Sequence, residues 1–111
     1  MQEAISKQTD IKMTVRKIRR VINLIRGKKV TEAQRMLKYM PYFAARIVEK
    51  NLNSAVANAA QKFSLSADAL KVSEIYADES STYRRYRPRA QGRMYKRLKR
   101  TSHLTVKVAK D

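Results

Sequence analysis

Between Tyr83 and Arg100 the chain reads YRRYRPRAQGRMYKRLKR, a stretch with nine basic residues and no acid. They are Arg84, Arg85, Arg87, Arg89, Arg93, Lys96, Arg97, Lys99 and Arg100. The chemistry open to such a stretch is the holding of a polyanion. Guanidinium is planar, forks onto phosphate through paired hydrogen bonds and stacks on bases, none of which an ammonium does. Arginine outnumbers lysine here by seven to two. Tyr83, Tyr86 and Tyr95 set aromatic surfaces among the charges. Basic runs interleaved with aromatics fit nucleic-acid binding, RNA more than duplex DNA. Burying that many charges without partners would cost several kcal/mol apiece. The stretch is therefore expected to project from the body and meet something densely negative. A free, solvated tail is the competing reading of any like-charge block, and the segments on either side argue against it.

A second set of basic residues sits on a predicted helix. Thr14 to Arg26 carries Val15, Ile18, Val21, Ile22 and Ile25 at three- and four-residue spacing, which makes one apolar face. Arg16, Arg19, Arg20 and Arg26 gather on the other face around Asn23, and Lys28 and Lys29 follow. A solvated helix face usually mixes signs to form pairs four residues apart. No acid occurs from Ile11 to Thr31, so contact with phosphates is favoured over plain solvation.

Composition narrows the possibilities. The 111 residues carry 26 Lys plus Arg against 9 Asp plus Glu, a formal net charge of +17. That charge repels itself unless a polyanion, a nucleic acid or an anionic membrane surface, screens it. The chain has no cysteine and His103 is its only histidine, which excludes disulfides, thiolate metal sites and histidine clusters; no cofactor is expected. No apolar run approaches the ~18–20 residues of a membrane span. The start, MQEAISKQTD, has no apolar core of a secretory signal, so the chain reads as intracellular. Residues 1–79 hold 15 basic and 8 acidic residues, and residues 80–110 hold 11 basic and none acidic. One domain over 1–111 is expected, with a body at about 1–79 and 101–111 and a basic appendage at about 80–100.

The elements that must position these residues read as follows. Ala4, Ile5, Ile11 and Met13 suggest a short edge strand. Gly27 fits the residue just past the end of the first helix, whose N-cap would be Thr14. A second helix spans Val30 to Met40, with Thr31 and Gln34 as a capping box and Ala33, Met36, Leu37 and Met40 on one face. Pro41 can open a third helix running to about Gln61. Ala44, Ile47, Val48, Leu52, Ala55, Val56 and Ala59 would line its buried side. After a loop at Phe63 to Ala69 the period changes: Leu70, Val72 and Tyr76 alternate with polar Lys71 and Ser73, and Ile75 and Ala77 break the alternation. Leu104, Val106 and Val108 alternate with Thr105 and Lys107, a clearer strand. Two strands around the basic stretch make a long hairpin, each arm roughly 17 residues or about 55 Å at ~3.3 Å per residue. Its turn is expected near Pro88 to Gly92. A ribbon of that length is marginal alone in water and calls for a partner. The fold class is α+β: three helices packed on a small antiparallel sheet, with an extended β-hairpin projecting.

Sites for catalysis do not assemble. His103 has no acid or second histidine near it in sequence. Asp78 and Glu79, adjacent in a strand, point to opposite faces and cannot easily share a ligand; an ion pair with the basic stretch fits them better. Gly27-Lys28-Lys29 lacks the first glycine and the Ser or Thr of a phosphate loop. With no nucleophile, base and oxyanion donors to bring together, no enzyme is expected.

Four blocks carry a family resemblance: Ile22-Asn-Leu-Ile-Arg-Gly-Lys-Lys-Val30, Ser54-Ala-Val-Ala-Asn-Ala59, Arg87-Pro-Arg-Ala-Gln-Gly-Arg93 and Lys99-Arg-Thr-Ser-His-Leu-Thr-Val106. In this order and spacing they resemble large-subunit ribosomal protein twenty-two of the bacterial and organellar type, from about Met13 to Val108. The resemblance implies a small α+β body on the outside of the large subunit and a hairpin that forms part of the peptide exit-tunnel wall. It implies a structural protein that binds large-subunit rRNA and supports subunit assembly. Arg16, Lys17, Arg19, Arg20, Arg26, Lys28 and Lys29 would hold the body on rRNA, together with Arg84, Arg85, Arg87, Arg89, Arg93, Lys96, Arg97, Lys99, Arg100, Thr101, Ser102 and His103. Tyr83, Arg84, Arg85, Tyr86, Arg87, Pro88, Arg89, Ala90, Gln91, Gly92 and Arg93 would line the tunnel. The implied partners are rRNA, neighbouring large-subunit proteins and the nascent polypeptide, with no membrane and no small-molecule substrate. Ser80-Ser81 departs from the family pattern, where Gly-Pro is frequent. Met40-Pro-Tyr42 and the Gln of Arg89-Ala-Gln-Gly92 lean toward cyanobacterial or plastid members, within a choice between bacterial cytoplasm and an organelle.

Two other classes stay open. A free-standing nucleic-acid architectural protein would bind isolated duplex stably and fold without a ribosome, as a single chain or a dimer. A membrane-active basic protein ranks last, because only Met94 and Leu98 give the hairpin large aliphatic surface and insertion usually wants a Trp, Phe or Leu face.

Overall fold

A computed structural model describes residues 3–88 and 94–111, with side chains at 3–9, 11–79 and 101–111. The element order is β1 (Glu3–Ile11), α1 (Val15–Ile25), α2 (Val30–Tyr39), α3 (Phe43–Phe63), a single 3-10 turn at Ala67–Ala69, β2 (Leu70–Pro88) and β3 (Met94–Lys110). The strands form one antiparallel sheet in the order β1-β3-β2, and the three helices cover one of its faces. This is the α+β arrangement expected from the periodicities. The radius of gyration is 17.2 Å, against about 13 Å for a compact chain of this length, because β2 and β3 run on past the helices.

Cross-strand register builds the core in rows. Ala4, Val108 and Val72 stand side by side, then Ser6, Val106 and Ile75, then Gln8, Leu104 and Ala77. Leu104, Val106 and Val108 are fully buried, so the clearest strand in the sequence is the middle one. Against these rows α1 lays Val15, Ile18, Val21, Ile22 and Ile25, the five residues its spacing selects. The opposite face is open: Ile5, Lys107 and Glu74 form one row there. Lys107 Nζ lies 3.0 Å from Glu74 Oε2. That hydrogen bond and the carboxylate's charge hold the Lys107 ammonium above its ordinary value. The raised lysine favours the fold at neutral pH, and that contribution is lost as pH rises through the lysine range.

Three register shifts punctuate the sheet, and each places its extra residue in an edge strand. One falls between Gln8 and Ile11 of β1, and two in β2, between Val72 and Glu74 and between Glu79 and Thr82. The first shift in β2 explains the broken alternation. Ser73 is the additional residue, and its hydroxyl donates to the Lys107 carbonyl at 3.1 Å. Beyond it the buried phase moves from Leu70 and Val72 to Ile75 and Ala77. Tyr76, expected in step with Leu70 and Val72, instead faces outward and is exposed.

Other expectations change at helix ends. No capping box forms on α2: its N-cap is Lys29, Thr31 lies inside the helix, and Gln34 Nε2 donates to Asn53 Oδ1 of α3 at 2.9 Å. Pro41 does not open α3, whose N-cap is Tyr42. The helix runs on past Gln61 to Phe63 and stops at Ser64 in the left-handed conformation, φ 57°. Gly27, φ 77°, takes the position past α1 that its type suggests. Within α3 the expected Ala44, Val48, Leu52, Ala55 and Ala59 are buried, and Ile47 and Val56 are partly so. In β1, Ala4 and Ile11 are buried while Ile5 is exposed. The expected hairpin turn falls on 89–93, outside the described residues, apart from Pro88, which ends β2.

Asn51 is the buried polar residue that the apolar pattern of α3 hides. Its Nδ2 donates to Gln8 Oε1 at 2.6 Å and to Ile47 O at 2.9 Å, and its Oδ1 accepts from Ser6 Oγ at 3.4 Å. The network ties α3 to β1. Replacing Asn51 by Leu leaves Ser6 and Gln8 short of a partner, and the expected cost is about 1–3 kcal/mol. Urea denaturation of N51L reads it; a midpoint equal to wild type would show that the network holds nothing.

Candidate nucleic-acid interface

α1 lies along the outer edge of β2, and its arginines divide into two groups. Arg19 donates through Nη2 and Nε to the Ala77 carbonyl, at 2.9 and 3.3 Å. Arg26 donates through Nη2 to the Ile75 carbonyl at 2.9 Å and through Nη1 to Asn23 Oδ1 at 2.7 Å. β2 is an edge strand, and every second carbonyl of an edge points away from the sheet. These two guanidinium groups therefore close the edge with the helix that packs on it. The loop after α1 continues the work: Val72 N donates to Lys28 O at 2.9 Å, and Lys29 pairs with Lys71 as an isolated bridge. On the far edge Asn58 Nδ2 reaches Ile5 O at 2.9 Å.

Arg16, Lys17, Arg20 and Lys28 are exposed. Arg20 lies with its guanidinium carbon 5.0 Å from the centre of the Tyr42 ring. Lys29 Nζ is 3.8 Å from Asp111 Oδ2, both side chains well exposed, a pairing that holds little in water. The basic face of α1 thus has a structural subset, Arg19 and Arg26, which is also solvent-exposed, and an outward subset, Arg16, Lys17, Arg20 and Lys28.

The hairpin is described as a backbone ladder at Tyr83, Arg84, Arg85, Tyr86, Arg87 and Pro88, paired in turn with Lys99, Leu98, Arg97, Lys96, Tyr95 and Met94. Arg100 pairs with Thr82. Arg89, Ala90, Gln91, Gly92 and Arg93 lie outside the described residues. Thr101 and Ser102 are both buried, and Ser102 Oγ donates to Met13 O at 2.6 Å, a tie between β3 and the approach to α1. His103, half-buried, stands opposite Asp78 in register, and Glu79 stands opposite Ser102. Among the described residues no cluster of acids or histidine could hold a metal ion, and no helix is long and apolar enough to cross a membrane.

Sequence reasoning missed the corner between α2 and α3. Arg46, on the first turn of α3, donates through Nη2 to the carbonyls of Leu37 and Met40, and through both terminal nitrogens to that of Lys38. It satisfies the open C-terminal carbonyls of α2, where a cation is also favoured by the helix dipole. Around it Tyr39, Tyr42 and Phe43 are exposed. The signal available in the sequence was three aromatics flanking Pro41 without helical spacing.

The division of the arginines is testable. R19Q removes the hold on Ala77 and is expected to lose about 1 kcal/mol. R16Q, with no such contact, stays within about 0.5 kcal/mol of wild type. Thermal unfolding of the two variants side by side checks this; equal midpoints would remove the structural role of Arg19.

Comparison with known proteins agrees with the fold. Residues 6–109 match the family model described as Ribosomal protein L22p/L17e. The Large ribosomal subunit protein uL22 of Clostridium novyi (strain NT) is 50% identical over 98 residues, 88% of each chain. Its namesake from Desulfitobacterium hafniense (strain DSM 10664 / DCB-2) is 47% identical over 108 residues, 97% of this chain and 95% of the relative. Both relatives are bacterial, and they give no support to the lean toward cyanobacterial or plastid members. With nearly the whole chain matched, the protein belongs to the Ribosomal protein L22p/L17e family, a family of structural ribosomal proteins rather than enzymes.

Proposed function

We propose that this chain is a structural constituent of the large ribosomal subunit that binds rRNA through the outward face of α1 and through its hairpin. The observation that carries the reading is the 80–110 segment, with 11 basic residues and no acid, whose described residues run in paired strands anchored in the body. Body (1–79 and 101–111) and hairpin (80–100) act as two parts of one domain. Register sets Arg85 directly opposite Arg97, and like charges opposed in a ladder weaken it. Phosphate supplies the missing counter-charge, so the ribbon and the polyanion order each other. Arg16, Lys17, Arg20, Lys28 and the hairpin residues Arg84, Arg85, Arg87, Arg89, Arg93, Lys96, Arg97, Lys99 and Arg100 are the proposed contacts, with Arg19, Arg26, Lys29 and His103 beside them. Thr101 and Ser102 are left out because they are buried. The contacts read backbone and shape more than base sequence. Residues Tyr83 to Arg93 line the peptide exit tunnel and meet the nascent chain, a placement supported by the family resemblance of Arg87 to Arg93. Early binding to rRNA assists subunit assembly.

Sedimentation tests the reading. Cell extract is spun through sucrose gradients at low and high monovalent salt, and the chain is followed by mass spectrometry. It is expected with large subunits in near one-to-one amount after the high-salt wash. Migration with DNA or alone would overturn the reading in favour of a free-standing architectural protein. In solution, the affinity of the full chain for large-subunit rRNA should fall linearly on a log–log plot against salt. R16Q and R20Q should each make that slope shallower by about one; unchanged slopes would take α1 out of the interface.

A further inference from the structure

We propose that the corner between α2 and α3 seats one unstacked nucleobase of large-subunit rRNA, with Phe43 and Tyr42 as the stacking surfaces and Lys17 and Arg20 on the adjoining phosphates; this deepens the rRNA-bound reading above and rests on it.

A groove of about 370 Å³ opens there, lined by Met13, Lys17, Arg20, Pro41, Tyr42 and Phe43. Phe43 is 72% exposed, Tyr39 75% and Tyr42 39%. Large aromatics scattered singly over a surface need no explanation, but three within five residues form a patch that does. None of the three belongs to the core, and the core side of α3 is carried at this end by Ala44, Ala45 and Val48. Their surroundings are basic. Lys17 and Arg20 line the groove, Lys38 lies 5.7 Å from the centre of the Tyr39 ring, and no acid is among the lining residues. An aromatic floor with cationic walls fits a base and its phosphate, since every base offers a π-face and every nucleotide a charge. An apolar protein segment would leave the two cations without a counter-charge, and a lipid surface would ask for more aliphatic area than Met13 supplies.

The groove is also stiff. Arg46 ties the last carbonyls of α2 to the first turn of α3, Pro41 restricts the link between them, and Met13 at the groove is fixed by Ser102 of β3. A site held in shape loses little freedom when a base enters it. Bases inside a duplex cannot reach such a floor, so the ligand is a bulged or looped nucleotide.

Ultraviolet irradiation of intact large subunits, followed by nuclease and protease digestion and mass spectrometry, reads which side chains lie against bases. A nucleotide adduct on Tyr42 or Phe43 is expected. Adducts on hairpin peptides with none at the corner, or a protein cross-linked there, would overturn this proposal and leave the rRNA-bound reading standing. Absence of the chain from large subunits would overturn both. As a second arm, full-length Y42A/F43A should bind refolded large-subunit rRNA about tenfold more weakly at fixed salt, with an unchanged salt slope. Y42F/F43Y, which keeps both rings, should bind as wild type. Equal affinity for all three would sink the proposal. Both rings are solvent-exposed, so the alanine variant is expected to keep the wild-type unfolding midpoint, which is measured alongside.

Discussion

β3 is paired on both sides from Ser102 to Ala109, and every other part of the body is placed by reference to that pairing. β1 and β2 hydrogen-bond to the sheet through β3, and α1 and α3 pack on the rows in which its side chains stand at the centre. An antiparallel ladder fixes which residues share a face, and a slip of one residue would turn an entire apolar set to water. Leu104, Val106 and Val108 make that slip costly, because all three are fully buried. The same strand, continued below Thr101, is one arm of the hairpin. The core and the basic ribbon are therefore a single ladder, and the ribbon inherits its starting direction from the packing of the body.

This coupling gives the arginines of α1 a double assignment. A basic helix face read from sequence looks uniform, since charge spacing alone cannot separate a guanidinium that meets phosphate from one that meets a carbonyl. The distinction comes from the neighbour: β2 is an edge, its outward carbonyls need donors, and Arg19 and Arg26 stand where Ala77 and Ile75 offer them. Closing an edge with charged side chains also discourages pairing with another chain, a useful property in a chain of high β content outside its core. Asn58 plays the corresponding part on β1.

The helices and the middle strand were legible in the residues because burial imposes a period on them. α1 shows this best, with all five buried positions given by spacing. What was not legible arises where a period is broken or a partner lies far off in sequence. Tyr76 reads in step with Val72 because nothing in the letters marks Ser73 as an extra residue. Asn51 interrupts an apolar face that spacing alone would make uniform, and its partners Ser6 and Gln8 lie more than forty positions away. Thr101 and Ser102 look like a continuation of the basic arm, yet the strand they belong to has already entered the body by that point. Arg46 reads as one more positive charge until the end of α2 is seen against it. On the side of function, the sign and density of charge were plain, and the corner aromatics were not, because exposure is a property of the packed helices.

The distribution of the three register shifts bears on how this chain can change length. All three extra residues sit in β1 or β2, and β3 keeps an unbroken two-residue rhythm from Ser102 to Lys110. An edge strand with a bulge can lose or gain one residue there and restore or repeat the shift while its other side meets only solvent, a side-chain cap or, next to Ser73, the short bridge to the loop after α1. β3 has no such slack, since a single deletion within it would throw two ladders out of frame at once. Length variation among kindred chains should therefore collect around Thr9, Ser73 and Ser80, leaving 102–109 as the segment whose residue count is held constant.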